Sequence, residues 1–438
     1  MGRYPSWGNY PRAEQRLRRL HWRGDDLPSD EDGSTLLPRG LGRSYGDSCL
    51  NDGGTLLDTT RLNHLIAFDH EAGILRCEAG VSLADILEIV VPHGWFLPVT
   101  PGTKFVTVGG AVANDIHGKN HHRAGTFGCF VTRFELLRSD GRRLICSPAD
   151  NDALFRATIG GLGLTGLLTW VEFRLKRVES ALIDVESVRF NELDEFFELA
   201  TASDARFEYT VAWVDSLARG SELGRGFFFR GNHAPSTNGA APAPRRLSLT
   251  VPFHAPGFLL NGWTLRAFNT LYYNRQRERT IRRRTHYDPF FYPLDSMGYW
   301  NRLYGRRGFM QYQCLVPHEG GHDAVRALFS RISASAEGSF LTVLKVFGDA
   351  ASPGLLSFPS PGTTLALDFA NRGRSTLALL EELDSIVRRH GGRVYPAKDA
   401  RMSVTSFQAY FPAWREFAPF VDPAFSSGFW RRVTAGAG

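Results

Sequence analysis

The segment that most constrains the fold runs from residue 100 to residue 128, TPGTKFVTVGGAVANDIHGKNHHRAGTFG, because it contains little that could build a core. Its many glycines permit positive φ and let backbone N–H groups approach a ligand closely, so it suits a pyrophosphate and a flat heterocycle. Loops longer than about 12–15 residues are uncommon in compact domains unless they are functional or disordered. We therefore interpret this segment as a binding loop; a structural surface loop is the alternative.

Length and charge limit the class of protein. With 438 residues, of which 43% are hydrophobic, the chain should form two domains. Its formal net charge of +6 suits anionic ligands or an anionic membrane surface, but no nucleic-acid partner is expected. The five cysteines are scattered without a CxxC pair, which argues against a disulfide framework or a structural metal. With no secretory signal and no apolar run of about 18 residues, we expect a cytoplasmic protein, with peripheral contact at the inner face of a membrane left open.

A first glycine turn, RGLGRSYGD, occupies residues 39–47 after a strand predicted at residues 35–38. Its glycines resemble a dinucleotide fingerprint, but the SCLNDGGTLLD that follows has no helical pattern, so a Rossmann βαβ unit is a poor fit. Cationic and hydroxyl side chains are interleaved with these glycines beside exposed backbone N–H groups. These side chains are Arg39, Arg43, Ser44 and Tyr45.

Hydrophobic periodicity predicts an α+β first domain. Ser82 should cap a helix that ends near Gly94, and Asp140–Gly141 should form the turn of a hairpin. A third glycine-rich turn, GGLGLTG, lies at residues 160–166 before a long strand that ends near Lys176. The other strands of this part are predicted at residues 55–58, 65–68, 74–78, 95–99, 134–137 and 144–146.

From residue 179 the glycine turns become rarer and aromatic residues more frequent, so we place a domain boundary there. Residues 231–246 are low-complexity and are expected to be mobile. Residues 258–273 are apolar and precede NRQRERTIRRRTH. This pair indicates either core followed by a solvated charged helix, or a patch that faces a membrane or polyanion. Strands predicted at residues 308–317, 340–347, 364–369 and 393–395, with helices at 322–335 and 375–390, indicate a largely antiparallel sheet with helices on one face.

Four motifs, RGLGRSYGD, TVGGAVANDIHGKNHHRAGTFG, GGLGLTG and YPAKDAR, together resemble those of the vanillyl-alcohol-oxidase-type (PCMH-type) FAD-linked oxidoreductases. The resemblance includes FYPLD, GFMQYQ and LKVFG, and it is closest to the decaprenylphosphoryl-β-D-ribose 2-oxidases of cell-wall arabinan synthesis. It implies a two-domain α+β flavoprotein. The FAD-binding domain would combine residues 1–178 with a C-terminal return at 393–438. An antiparallel-sheet substrate domain at residues 179–392 would be inserted between them.

The same resemblance implies which residues contact FAD. Residues 39–47 and 107–110 would wrap the pyrophosphate. Many relatives attach the flavin covalently through a histidine in the first glycine loop, where this chain has Arg43, so noncovalent FAD is expected. The implied cofactor residues are Arg39, Gly40, Gly42, Arg43, Ser44, Tyr45, Gly46, Gly102, Thr107, Val108, Gly109, Gly110, Asn114, Asp115, His117, Leu168 and Tyr395.

On the substrate side, Lys398 matches the lysine that lies beside the flavin ring and the substrate. Two places depart from the best-known members: the strand that carries Asn-Ile-Cys in those members reads Thr364-Leu365-Ala366 here, and a pocket tyrosine is Phe291. Lys119, Lys345 and the arginines of residues 275–284 are hypothetical phosphate or membrane contacts. The positions that match the substrate side of the family are Trp213, Gln311, Gln313 and Lys345.

The implied reaction is FAD-dependent oxidation of the 2-hydroxyl of a polyprenyl-phosphoryl ribose to a 2-keto intermediate. A separate NADH-dependent short-chain reductase would then form the arabinose epimer, a donor for cell-wall or surface glycan synthesis. One alternative is an alditol or aldonolactone oxidase that acts on a soluble sugar. Two further alternatives are a flavoprotein scaffold without turnover and a polyanion-binding protein with structural glycine loops.

Oxidising a secondary alcohol through flavin requires a hydride path, a site for the hydroxyl proton and positive charge near the reduced ring. Lys398 suits the last role. Tyr45 and His117 are candidates for the proton path, although a histidine within a glycine loop can equally be structural. His121 and His122 are interpreted as loop residues, because no carboxylate or cysteine at ligand spacing supports a metal site.

Overall fold

A computed structural model describes residue 2 and residues 4–28, 33–236, 249–257 and 259–436. Among these residues, three larger β-sheets organise the chain. The parallel sheet contains, in spatial order, Arg16–Arg19, Thr55–Asp58 and Leu36–Arg39. The five-stranded antiparallel sheet contains Leu65–Asp69, Ile74–Glu78, Leu167–Arg174, Val131–Leu137 and Arg143–Cys146. The eight-stranded antiparallel sheet contains Thr280–His286, Leu182–Phe190, Gly226–His233, Tyr209–Val214, Thr342–Phe347, Gly362–Ala370, Phe309–Val316 and Arg393–Val394.

Helices and two small ribbons complete the described fold. One ribbon pairs Trp95–Phe96 with Lys176–Arg177, and the other pairs Leu249–Thr250 with Met297–Gly298. The α-helices are Leu83–Val90, Val108–Ala113, His121–Ala124, Asp152–Thr158, Leu193–Ser203, Gly262–Asn274, Tyr287–Phe291, Gly321–Ser335, Arg374–Arg389, Val404–Tyr410, Trp414–Phe417 and Gly428–Val433. The 3₁₀ turns are Asp47–Cys49, Val91–His93, Phe127–Phe130, Gly220–Glu222, Pro293–Ser296, Trp300–Tyr304 and Ala418–Phe420. None of the helices in these described ranges has the length and apolar character needed to cross a membrane.

Local signals predicted several of these elements correctly. Ser82 caps Leu83–Val90 with a full capping box, because its hydroxyl accepts the Asp85 N–H at 3.1 Å and the Asp85 carboxylate accepts the Ser82 N–H at 3.2 Å. The predicted hairpin turns at Asp140–Gly141, where Gly141 takes a φ of +82°. The mixed α+β class and the antiparallel sheets are confirmed.

The segment 100–128 is more structured than a loop. It contains the helices Val108–Ala113 and His121–Ala124 and the 3₁₀ turn Phe127–Phe130. The first of these helices forms because the Thr107 hydroxyl accepts the Gly110 N–H at 3.2 Å and the side chains of Val108, Ala111 and Val112 are fully buried. The strand predicted at 95–99 is also shorter, ending at Phe96.

The arginine-rich segment is a strand and not the predicted charged helix. Thr280–His286 forms one edge of the eight-stranded sheet and pairs with Leu182–Phe190. Period-two alternation places Arg282 within 2.7 Å of Glu186 and Arg284 within 2.6 Å of Asp184. The backbone ladder with Leu182–Phe190 and these cross-strand ion pairs form only in a strand.

The apolar segment before it is not all core. Leu265 is buried on the helix Gly262–Asn274, but Trp263 is 83% and Leu271 74% exposed. The interpretation in which this segment packs wholly inside is therefore wrong for its described residues. Of the low-complexity residues 231–246, the first three belong to Gly226–His233, and residues 237–248 lie outside the described part of the chain.

The C-terminal segment returns to the N-terminal one. The Ser426 N–H donates to the Leu36 carbonyl at 3.0 Å, and Arg432 forms an ion pair with Asp47 in the first glycine turn. Strand Arg393–Val394, however, pairs with Phe309–Val316 in the eight-stranded sheet. The division of the chain into domains at residues 178 and 392 stays a prediction.

Candidate functional site

The three glycine turns and the YPAKDAR segment meet around one cavity of about 580 Å³. The first turn contributes residues from Arg39 to Tyr45, and residues 101–117 contribute the second wall. Residues 162–168 and the segment 294–300 enclose two further sides. The remaining wall is the face of the eight-stranded sheet, which continues into Tyr395, Ala397 and Lys398.

A close backbone approach joins the first turn to the YPAKDAR segment. The Tyr45 N–H donates to the Ala397 carbonyl at 2.9 Å, and a Cβ on Gly46 would lie 1.6 Å from the Asp399 carbonyl oxygen. Glycine is required there because any side chain would force the two segments apart. The consequence is that the Lys398 ammonium lies 3.9 Å from the centre of the Tyr45 ring.

Free backbone donors border the cavity at the first turn. Among the described residues, the N–H groups of Gly40 to Ser44 form no hydrogen bond. At Gly40 a Cβ would lie 2.3 Å from the Thr107 hydroxyl oxygen, so bare backbone is needed for the two turns to approach. Five successive free N–H groups beside the half-buried guanidinium of Arg43 suit a pyrophosphate, so the donor set fits the FAD implied by the sequence.

The second glycine turn was expected to wrap the pyrophosphate with residues 107–110, but its N–H groups are not free. The Val108 N–H donates to the Val81 carbonyl at 2.9 Å and the Gly109 N–H to the Ala79 carbonyl at 2.8 Å. The Gly110 N–H is bonded to Thr107. Because these donors are already used, this turn contributes shape to the cavity rather than free N–H groups for phosphate.

Strand alternation builds the polar wall. On Gly362–Ala370, Leu365 and Leu367 face the core, whereas Ala366 and Asp368 face the cavity. On the neighbouring strand Phe309–Val316, Gln311 lies directly opposite Asp368 in the ladder and donates to Asp368 Oδ1 at 2.7 Å. Gln313, Val343 and Lys345 also line the cavity from this sheet.

His117 is held at both ring nitrogens. Its Nε2 lies 2.8 Å from the Gln313 amide and its Nδ1 lies 3.1 Å from Lys345 Nζ. A neutral imidazole has one donor and one acceptor, so either the Gln313 carbonyl oxygen accepts from Nε2 or a neutral Lys345 accepts from Nδ1. Burial, with Lys345 as the next cause, holds the pKa of His117 well below its usual value. His117 is thus a neutral, anchored ring.

Two lysines share this enclosed space. Burial lowers the pKa of Lys398 to about 8, partly offset by the negative charge of Asp368. Burial and the charge of Lys398 lower the pKa of Lys345 to about 7. Lys398 is therefore the better site for a positive charge at neutral pH.

Most of the site residues predicted from sequence line this cavity, but six do not. Gly46 and Val108 lie directly behind the lining, where they hold the two glycine turns in place. Asp115 is buried and accepts hydrogen bonds from the Gly128 N–H at 2.8 Å and from Ser352 and Ser357. The six residues outside the lining are Gly46, Val108, Asp115, Lys119, Trp213 and Phe291.

Three of these six had been assigned to the substrate side. The Lys119 ammonium donates to the backbone carbonyls of Phe290 and Phe291 at the end of a short helix. Trp213 is buried against Phe227 and its Nε1 donates to the Phe340 carbonyl at 2.9 Å. The Phe291 ring packs into the core. All three side chains thus have structural partners.

Sequence reasoning gave no role to several residues that line the cavity. Asp368 is the clearest, since a lone carboxylate within the apolar run LALDFA was a usable signal. Asp295, in the FYPLD motif, accepts the Lys104 N–H at 2.9 Å and faces Arg43. Trp7 lies under the Arg43 guanidinium at 4.1 Å, a contact that no local pattern predicts.

Comparisons with known proteins support FAD as the group that this cavity binds. A family model described as an FAD binding domain matches residues 29–147. Decaprenylphosphoryl-beta-D-ribose oxidase of Mycolicibacterium smegmatis is 37% identical over 422 residues, which cover 92% of this chain and 90% of that protein. An uncharacterized protein of Streptomyces coelicolor is 37% identical over 81% of this chain and 100% of its own length. A Neurospora crassa protein named as a D-arabinono-1,4-lactone oxidase is 29% identical over 31% of this chain and 24% of its own length.

The first of these similarities runs through both the glycine turns and the eight-stranded sheet. It is therefore not a match to an isolated cofactor domain. The chain belongs to the family of FAD-dependent oxidoreductases that includes decaprenylphosphoryl-β-D-ribose oxidase.

Proposed function

We propose that this protein oxidises the 2-hydroxyl of a polyprenyl-phosphoryl ribose to the 2-keto sugar, using noncovalently bound FAD. The name of the M. smegmatis relative supports the substrate class, since that relative is similar over 90% of its length. The observation that carries the proposal is the Lys398 ammonium, which is enclosed in the cavity 3.9 Å from the Tyr45 ring. The two-domain arrangement, with residues 1–178 and 393–438 together and 179–392 inserted, is part of the proposal.

The residues of the first turn support noncovalent attachment. Arg43 occupies the position at which many relatives carry the histidine that attaches the flavin. A guanidinium does not form that covalent bond. Cys49 also lines the cavity, but burial raises the pKa of its thiol to about 11, so little thiolate is present near neutral pH. We expect FAD to pass through an ultrafilter after the protein is denatured.

Each residue of the site has a distinct role in the proposed step. FAD, when bound, supplies the acceptor for the hydride and its two electrons. The free N–H groups of Gly40 to Ser44 would hold its pyrophosphate, together with Arg43. Lys398 would offset the negative charge that develops near N1 and the C2 carbonyl. Gln311, Gln313 and Lys345 would orient the sugar from the sheet side.

The partners follow from the substrate and product. A 2-keto sugar needs hydride at the same carbon to become the epimer, so an NADH-dependent short-chain reductase would complete the epimerisation. A cytoplasmic position at the inner face of the membrane would give access to a polyprenyl substrate. The exposed side chains of Trp263, Phe268 and Leu271, which precede the arginine-rich strand, support contact with such a surface.

Stopped-flow measurement of flavin bleaching tests the substrate. We expect polyprenyl-phosphoryl ribose to bleach the flavin at least tenfold faster than free alditols or aldonolactones at equal concentration. The similarity to the N. crassa protein named as a lactone oxidase favours a second candidate, oxidation of a soluble sugar. Bleaching by the soluble sugars alone would establish that second candidate and end the lipid proposal.

A further inference from the structure

A buried carboxylate stands in the cavity wall without a complete set of partners. Asp368 is 1% exposed, and its Oδ1 accepts the Gln311 amide at 2.7 Å. Its Oδ2 is buried and accepts no hydrogen bond among the described residues. The Tyr304 hydroxyl lies near the carboxyl and lowers its pKa, but it is outside hydrogen-bond geometry, so both Tyr304 Oη and Asp368 Oδ2 are left without a partner. Asp368 lines the cavity, and an unsatisfied buried oxygen is costly unless a ligand donates to it.

The other two candidates for the hydroxyl proton fit that role poorly. Burial raises the pKa of Tyr45 well above its usual value, with Asp368 as the next cause, so this phenol stays protonated and cannot act as the base. His117 is anchored at both nitrogens and faces two lysines, which disfavour its cationic form. Lys345 Nζ is already engaged by His117 Nδ1 and the Gly118 carbonyl. Among the described titratable groups of the sheet wall, Asp368 is therefore left with an unpartnered acceptor atom.

We propose that Asp368 accepts the proton of the substrate hydroxyl at Oδ2. This inference rests on the proposed oxidation of a secondary alcohol. The C–H bond breaks with its electron pair passing to FAD, the O–H bond breaks with its proton passing to Oδ2, and the carbon–oxygen double bond forms. The carboxylate becomes a neutral carboxylic acid, so no unbalanced charge remains on Asp368.

The groups around Asp368 set the pH dependence. Burial dominates and raises the pKa of Asp368 to about 7, although Gln311, Lys398 and the Tyr304 hydroxyl lower it. Tyr304 and Tyr45 lie near it as neutral phenols. Because the base must be ionised, the rate of flavin reduction should rise with pH through about 7. It should fall above about 8, where Lys398 loses its proton. Asp368 and Lys398 interact, so the acidic and alkaline limbs of this pH profile describe the two groups together and not either group alone.

Stopped-flow reduction of FAD-loaded Asp368→Asn protein across pH tests the assignment. We expect FAD to be retained, the limiting rate to fall about 10²- to 10⁴-fold and the acidic limb to disappear. Asp384→Asn is the matched control, since Asp384 is equally buried but binds Tyr312 and Arg401 outside the cavity. An Asp368→Asn protein that keeps the acidic limb, whatever its rate, would overturn the proposal.

A measurement on the carboxyl itself covers the case in which Asp368→Asn does not fold. The infrared C=O band of carboxylic acids is titrated in two proteins, the Asp384→Asn variant and the same variant with Gln311→Leu added. The band lost near pH 7 should be lost at higher pH in the Gln311→Leu protein, because that hydrogen bond lowers the pKa of Asp368. An unshifted band would refute the assignment.

The proposed substrate and the role of Asp368 can be tested separately. If lipid-phosphoryl ribose does not bleach the flavin but an alditol does, the pH tests proceed with the alditol.

Discussion

At the scale of single residues, the two lysines of the cavity differ in the charged groups around them. Lys398 faces the carboxylate of Asp368, which favours its charged form, whereas Lys345 faces Lys398 and a histidine ring. Two ammonium groups in one enclosed space repel each other, so the lysine with a carboxylate nearby keeps its proton to higher pH. This difference gives Lys398 the electrostatic role and leaves Lys345 to hydrogen bonding.

Lys398→Met should retain FAD but reduce the rate of flavin reduction about 10²- to 10³-fold, as expected when one preorganised charge is removed. Lys398→Arg keeps its charge above pH 12, so the fall in rate above about pH 8 should disappear even if the rate is lower. Stopped-flow reduction across pH measures both. Lys176→Met, which removes a lysine paired with Glu208 outside the cavity, is the control. A wild-type rate in Lys398→Met would remove Lys398 from the reaction.

Only part of this site could be predicted from sequence. Gln311 and Gln313 could be predicted to lie together, because alternation on a strand puts both side chains on one face. Lys119 was misleading, because the carbonyls that bind its ammonium are about 170 residues away in sequence. A lone carboxylate in the apolar run LALDFA distinguishes Asp368 in the sequence, but its neighbours Gln311 and Lys398 are known only from the structure. Burial and charge at such a position depend on contacts that no local pattern contains.

At the scale of elements, local signals again decide what is predictable. The helix after Ser82 was correct because its cap lies within three residues of the group it binds. The strand Thr280–His286 was missed because its acidic partners lie about a hundred residues earlier in the chain. Non-local pairing of this kind overrides a helical charge pattern.

The helix Gly262–Asn274 has an unusual face. Its buried stripe is narrow, formed by Leu265, Asn269 and Tyr273, whereas Trp263 and Leu271 are exposed. Exposed aromatic and aliphatic side chains followed by arginines are typical of a segment that lies in a membrane interface. This supports the proposed surface contact with an anionic bilayer.

Substituting Trp263→Ser together with Leu271→Ser should weaken binding to vesicles containing phosphatidylglycerol about tenfold or more, because two side chains leave the acyl boundary. Cosedimentation measures the binding, and flavin reduction by a soluble short-chain substrate analogue should not change. Trp22→Ser, which removes an exposed tryptophan from another segment, is the control. Equal binding by the double variant and wild type would contradict the membrane contact.

At the scale of the whole molecule, the site depends on a joint between distant parts of the chain. Arg432 donates to Asp47 in the first glycine turn and also to Asp399 beside Lys398, at 2.6 and 2.9 Å. Both carboxylates are buried, and burial raises the pKa of Asp47. The C-terminal helix Gly428–Val433 thus connects the first glycine turn with the segment that carries Lys398.

Arg432→Met should therefore affect both stability and cofactor binding. Removing one partner of a buried ion pair leaves carboxylates uncompensated, and the loss should be about 3 kcal/mol in the free energy of unfolding, at the low end because Arg432 is 26% exposed. The first turn and the Lys398 segment would then separate, so FAD should bind at least tenfold more weakly. Urea unfolding and fluorescence titration of apoprotein with FAD measure the two effects. Arg415→Met, on an exposed arginine of the same tail, should change neither, and a normal FAD affinity in Arg432→Met would show that the joint does not position the site.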